Sequence, residues 1–247
     1  MRDLNHSHKF TDIHSRLSVG PKISYLRDWI YGGIDGAVTT FAIVAGVVGA
    51  ELSAGVVVVL GIANLLADGF SMAASNYSGT KAEIDDYNRV LEVEKRHIRQ
   101  HPEGEREEVR QIFANKGYSG EELEEIVNLI TTHEDMWLET MMAEEYGLSN
   151  VQRSPIRAAL ATFWAFLLCG AVPLVPYFLG LPAGAIVAAT MTGVVFLAIG
   201  AVKSLWSTWS WWTSALETFA IGMSAAGLAY LVVKRQPLCS PHRADQG

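Results

Sequence analysis

Five stretches of this chain are each long and apolar enough to cross a bilayer, and nothing else in the sequence constrains its fold as strongly. A spanning helix needs about 20 mostly apolar residues. The stretches run about Trp29–Ala50, Ala54–Tyr77, Ile156–Leu179, Ala183–Val202 and Trp212–Val233. Half of the 247 residues are apolar, more than a soluble domain of this length usually carries in such runs. The links between runs one and two (Glu51, Leu52, Ser53) and three and four (Gly180, Leu181, Pro182) are so short that each pair must be an antiparallel hairpin. The predicted class is an all-α membrane protein with five transmembrane helices.

Orientation follows from the basic residues, which favour the cytosolic side. Arg2, Lys9, Arg16, Lys22 and Arg27 precede the first run. The two short links have no Lys or Arg, whereas the long connection after run two is rich in both. The N-terminus and that connection are therefore expected to be cytosolic and the C-terminus outside. Lys234, Arg235 and Arg243 in the tail run against the rule. The first 25 residues lack the apolar core of a signal peptide, so the first span itself would direct insertion. A prokaryotic cell (inner) membrane fits these features. His6, His8 and His14 fit a disordered polar tail better than a metal site.

The connection from about Gly79 to Asn150 is too long for a plain loop and reads as helices. Lys81 to about His101 is broken by Pro102; Glu103–Asn115 follows and stops at Lys116-Gly117-Tyr118. Ser119 is an N-cap candidate with Glu121 and Glu122 in the first turn, and that helix is expected to run on to about Tyr146. The expected organisation is a polar cytosolic N-terminal segment (1–28), transmembrane helices one and two (29–78), an acidic helical cytosolic domain (79–150), transmembrane helices three to five (151–235) and a tail (236–247).

The net charge of −7 hides a split, since 18 of the 26 acidic residues lie between Glu83 and Glu145. Such a stretch repels nucleic acid and suits cations, or is a solvated helical surface. Cys169 and Cys239 form neither a metal motif nor a disulfide framework.

Several residues could carry chemistry. Asp35 stands inside the first span among Gly32, Gly33 and Gly36. A carboxylate at membrane depth is costly and usually faces a partner or a watery path, and the glycines allow close helix approach or bare backbone near a ligand. Asn64, Asp68, Met72 and Asn76 recur every four residues in the second span and drift only about 40° per step. That stripe offers oxygen and thioether ligands suited to Fe²⁺ or Mn²⁺, or a polar seam between helices. In the acidic domain Glu94/His97 and Glu105/Glu108 are pairs one turn apart, and Met141, Met142, Glu144 and Glu145 close the last helix. These could bind metal or simply be solvated, as could His133, Glu134 and Asp135. Glu94–His97 is one Glu-x-x-His; a di-iron bundle needs two. No Walker, Rossmann or nucleophile-elbow motif occurs. Lys203 with Trp206, Trp209, Trp211 and Trp212 reads as an interfacial anchor, and Glu217 as a residue near the headgroups.

GGIDGAVTTFAIVAGVVGA around Asp35 and LADGFSMAASNYSGTKAE around Met72 resemble the first two spans of the vacuolar iron transporter family. The resemblance covers about Trp29 to Val233. It implies five spans with an acidic helical insert, a homodimer with the path between protomers, and exchange of cytosolic Fe²⁺ (sometimes Mn²⁺) for protons, with Asp35 and Met72 lining the path. It implies no enzyme activity and no permanently bound cofactor; the metal is substrate. It also implies ligand roles for Glu94, His97, Glu105 and Glu108, whose three-eight-three spacing matches the family's Glu pairs with His97 replacing a Glu, and for Met141, Met142 and Glu145, with Glu144 as a substitute for a family Glu. Asn76 stands where the family commonly has Glu, and Asp68 is the candidate to compensate. The function read from all this is a divalent-metal/proton antiporter whose partners are metal ions, protons, membrane lipid and a second copy of the chain. The alternative is a membrane-anchored metal sensor or buffer, which would not need the Asn64–Asp68–Met72 stripe beside Asp35.

Overall fold

A computed structural model describes residues 7–19, 23–150 and 153–235; Arg2, His6, Lys22, Cys239, Arg243 and the 236–247 tail lie outside them. Among the described residues every regular element is helical. In chain order they are α1 (Phe10–Val19), α2 (Leu26–Gly49), α3 (Ala54–Gln100), α4 (Pro102–Asn115), α5 (Gly120–Thr131), α6 (Glu134–Glu144), α7 (Pro155–Ala171), α8 (Val175–Phe178), α9 (Gly184–Lys203) and α10 (Trp211–Arg235). Short 3₁₀ turns cover Val172–Leu174 and Ser204–Trp206. The chain divides into two compact units, one holding the chain up to Tyr77 and from Pro155 onward, the other Ser78–Ser154.

Four helices among the described residues have the length and composition to cross a membrane: Leu26–Gly49, the apolar part of Ala54–Gln100, Pro155–Phe178 and Gly184–Trp206. The third is α7 and α8 joined through the 3₁₀ turn. Pro173 and Pro176 cause the break, because neither has an N–H for the helical ladder. The fifth apolar run forms the 25-residue α10.

In this unit α2 packs against α7, α9 and α10, and α9 packs against α10. Glycine makes the closest approach possible. A Cβ on Gly32 would strike the carbonyl oxygen of Thr162, and one on Gly36 that of Phe166. The glycines around Asp35 are thus explained by α7 lying directly on α2. Val44, Val47, Val57, Leu65, Phe166, Leu174 and Ala188 fill the apolar core beyond them.

The N-terminal segment differs from its expected disorder, because Phe10–Val19 is helical. The helix that carries the second apolar run also does not end near Tyr77. It continues without a break to Gln100 and stops where Pro102 begins α4, Pro being accepted in a first turn.

In the second unit Ile98, Val109, Leu123, Val127, Ile130, Trp137, Leu138 and Met141 form one core. Gly117, with φ of 101°, makes the turn after α4. Ser119 is the N-cap of α5 by backbone position, but its hydroxyl makes no cap hydrogen bond. The single helix expected from Ser119 to Tyr146 is two helices. Thr131 and Thr132 turn their hydroxyls back onto the Val127 and Asn128 carbonyls, and His133 is extended.

Candidate metal centre and span carboxylates

In the Ser78–Ser154 unit, α3 and α4 bring Glu94, His97 and Glu105 together, with one ligand atom from each lying within 4.8 Å of the others. The three-residue spacing places Glu94 and His97 on one face of α3, and Pro102 turns the chain so that Glu105, in the first turn of α4, meets them. His97 Nδ1 stands 3.5 Å from Glu105 Oε1 and 4.0 Å from Glu94 Oε2. Glu94 is 0% exposed and Glu105 6%.

Their oxygens are poorly satisfied. The Tyr146 hydroxyl donates to Glu94 Oε2 at 3.2 Å, but Glu94 Oε1 and Glu105 Oε2 are buried without a hydrogen-bond partner. Burial of a carboxylate oxygen without a donor is costly, a cost that either a proton shared between the two carboxyls or a divalent cation would relieve. Burial, then the hydrogen bond and charge of Glu94, then the charges of Glu108 and Glu145, push the Glu105 carboxyl up from its ordinary 4.5 to about 8. Glu145 is also raised, first by burial and then by Glu108 and Glu94. Two carboxylates and an imidazole make a donor set suited to Fe²⁺, Mn²⁺ or Zn²⁺.

The remaining sequence candidates fall elsewhere. Glu108 and Glu145 are exposed and act on Glu105 through their charge. Glu144 pairs with Lys116. Met141 is packed in the apolar core and Met142 is buried. Glu134 pairs with Arg99 at 3.5 Å, and His133 and Asp135 flank it at the start of α6.

In the other unit Asp35 is half-buried on α2 and Asp68 is exposed on α3, close enough for its charge to act on Asp35. One turn before Asp68, the Asn64 amide reaches Thr39 Oγ1 at 3.4 Å, and Thr39 donates to the Asp35 carbonyl at 2.9 Å. Met72, half-buried, packs on the apolar cluster around Phe166. Asn76 lies at a separate cluster, where its amide donates to Asp28 Oδ1 at 2.9 Å and to Thr162 Oγ1 at 2.7 Å. Lys203 pairs with Glu217 at 2.8 Å, and Trp206, Trp209, Trp211 and Trp212 are exposed around that pair's end of α9 and α10.

Asp28, 1% exposed, is the residue that sequence reasoning missed, because the first span was started one residue after it. The available signal was its position seven residues before Asp35, two turns away on the same helix face.

These features define a polytopic helical membrane protein with carboxylates inside its spans and a separate side-chain cluster of metal-ligand type. The VIT family model matches residues 26–234, and the chain belongs to that family. Its members are transporters and not enzymes. Among its relatives are vacuolar iron transporter 1 of Eucalyptus grandis, 34% identical over 85% of each chain, and vacuolar iron transporter 1 of Arabidopsis thaliana, also 34% identical over 85% of each. The vacuolar iron transporter of Toxoplasma gondii is 35% identical over 67% of this chain and 56% of its own.

Proposed function

We propose that this chain is a divalent-metal/proton antiporter that moves Fe²⁺, and Mn²⁺ as a second substrate, out of the cytosol. The observation that carries this reading is the pair of carboxylates, Asp35 and Asp68, on two membrane-length helices joined beside them by the Asn64–Thr39 hydrogen bond. A sensor that only bound metal would not need charge there, and charge inside a span is retained chiefly where ions pass. The names of the relatives supply the metal.

In this scheme α10 is the fifth span, and the basic N-terminal segment and the Ser78–Ser154 unit are cytosolic. Glu94, His97 and Glu105 collect the ion, with Glu108 and Glu145 adding negative charge around them; Met141, Met142 and Glu144 are not ligands in this scheme. Asp35, Asp68, Met72 and Asn64 belong to the path, and Asn76 braces it by joining α3 to Asp28 and Thr162. Asp68 stands exposed on a spanning helix beside exposed Leu66 and Phe70. Lipid is a poor neighbour for a carboxylate, so a second copy of the chain covers that face and the path runs between protomers. Each path carboxylate holds either metal or a proton. Metal arrival therefore expels protons, and protons from the far side release metal.

Purified protein in sealed vesicles tests this. Fe²⁺ should enter faster when the interior is acidic, and the interior pH should rise as metal enters. Equal rates with the gradient collapsed and no proton movement would make the protein a passive channel. Metal binding without any flux would make it a sensor or buffer.

A further inference from the structure

Helix α1 carries an apolar face that is largely exposed. Phe10, Ile13 and Leu17 fall within about 60° of arc on a 3.6-residue helix. Phe10 is 84% exposed, Leu17 71%, and Ile13 only half-buried. Thr11, Asp12, His14, Ser15 and Ser18 lie outside that stripe and are exposed too. A ten-residue helix with this composition is marginal in water by itself and gains its stability from whatever its apolar stripe is laid upon.

Two observations say what that is. The first is charge. Between Lys9 and Arg27 the sequence places Lys9, Arg16, Lys22 and Arg27 against the single acidic Asp12, a balance that attracts anionic headgroups. The second is covalent reach. Only six residues separate Val19 from Leu26, where the first membrane-length helix begins, so the C-terminal end of α1 is held within about 25 Å of the start of that helix. Ile23 in that link is exposed as well.

We propose that α1 lies flat on the anionic leaflet from which the first span descends, its Phe10–Ile13–Leu17 face sunk among the acyl chains and the flanking Lys9 and Arg27 at the level of the headgroups. A short amphipathic helix of this kind rests about 5–10 Å into the boundary. It fixes the point at which α2 enters the bilayer without taking part in metal handling.

Spin labels read this directly. In full-length protein with Cys169→Ala and Cys239→Ser, a label is placed at Leu17→Cys on the apolar face and, separately, at Ser15→Cys on the polar face. Both proteins are reconstituted in nanodiscs of phosphatidylcholine with or without phosphatidylglycerol. With the anionic lipid, the Leu17 label should be several-fold more accessible to oxygen than to a water-soluble nickel relaxer, and the Ser15 label should show the reverse. Without the anionic lipid, or in high salt, the Leu17 preference should shrink. A Leu17 label open to nickel in both membranes overturns the proposal. So does one shielded from both relaxers, which would put the face against a second copy of the chain or another protein.

Discussion

Both units bury a carboxylate, and they treat it in opposite ways. Asp28, 1% exposed, accepts the Asn76 amide, and the Thr162 hydroxyl that also bonds Asn76 donates to the Asp28 carbonyl at 3.3 Å. Three helices, α2, α3 and α7, meet there with their polar groups engaged. Glu94, 0% exposed, has one oxygen held by Tyr146 and the other with no donor, and Glu105 beside it is left the same way. Burial alone therefore does not mark a ligand site. The distinguishing feature is whether the surrounding chain supplies donors. Where it does, the carboxylate joins helices; where it does not, oxygens stay open to an ion, as the proposed function requires.

This contrast has consequences of graded size. The largest is expected at the path. Asp35→Asn removes the charge that replaces metal hydration and should abolish Fe²⁺ flux in vesicles while leaving metal binding by the Ser78–Ser154 unit intact; unchanged flux would remove Asp35 from the mechanism. Next is Glu105→Gln, which should weaken metal binding by about 10- to 100-fold, each charged ligand contributing on the order of 2 kcal/mol. Calorimetry on the full chain reads this, and an affinity equal to wild type would return Glu105 to a buried structural role.

The pH dependence of the same site is sharp because Glu105 titrates near 8. At pH 7 it is mostly protonated, so metal must displace that proton, and affinity should fall about tenfold per pH unit for one proton as pH drops below 8. Heats measured in buffers of different ionisation enthalpy should show one proton released per ion, and none in Glu105→Gln. For the metal-free protein the sign is opposite. The folded-state value lies above the unfolded 4.5, so the stabilisation is fully present below about pH 4.5 and is lost as pH rises through 8. Metal at a hundredfold excess over its dissociation constant should restore about 2.7 kcal/mol.

Asn76→Ala should lower stability in detergent by about 1–3 kcal/mol, because it takes a donor from buried Asp28, with metal affinity unchanged. The smallest effect is expected at Glu144→Gln. Its ion pair with Lys116 is a surface pair, worth under about 1 kcal/mol. A large loss of metal affinity in Glu144→Gln would break the contrast, since Glu144 already has a partner.

The membrane-length helices were legible because apolar length is a one-dimensional signal. All five runs recur as helices within three residues of their expected starts, and the second runs on only because nothing between Tyr77 and Gln100 breaks a helix. Pro102 and Gly117 were equally legible as punctuation. The α5–α6 break was not, since it falls at Thr131 and Thr132, whose hydroxyls bond the Val127 and Asn128 carbonyls just as threonines inside unbroken helices do. The Glu94–His97–Glu105 grouping was half visible. Spacing put each pair on a helix face, but only the turn at Pro102 decides that Glu105, and not Glu144, meets them. Asn76 looked like a path residue lacking its charge. Its partner Asp28 supplies a physical reason for the amide, since a carboxylate at both positions would set two like charges together.

The contrast is tested most directly by locating the ion. Crystals of the full chain soaked in Mn²⁺ and measured at the manganese edge should give an anomalous peak bounded by Glu94, His97 and Glu105, and none at Asp28. Peaks only on the exposed acidic faces of α4–α6, with Glu94 and Glu105 unchanged, would contradict it.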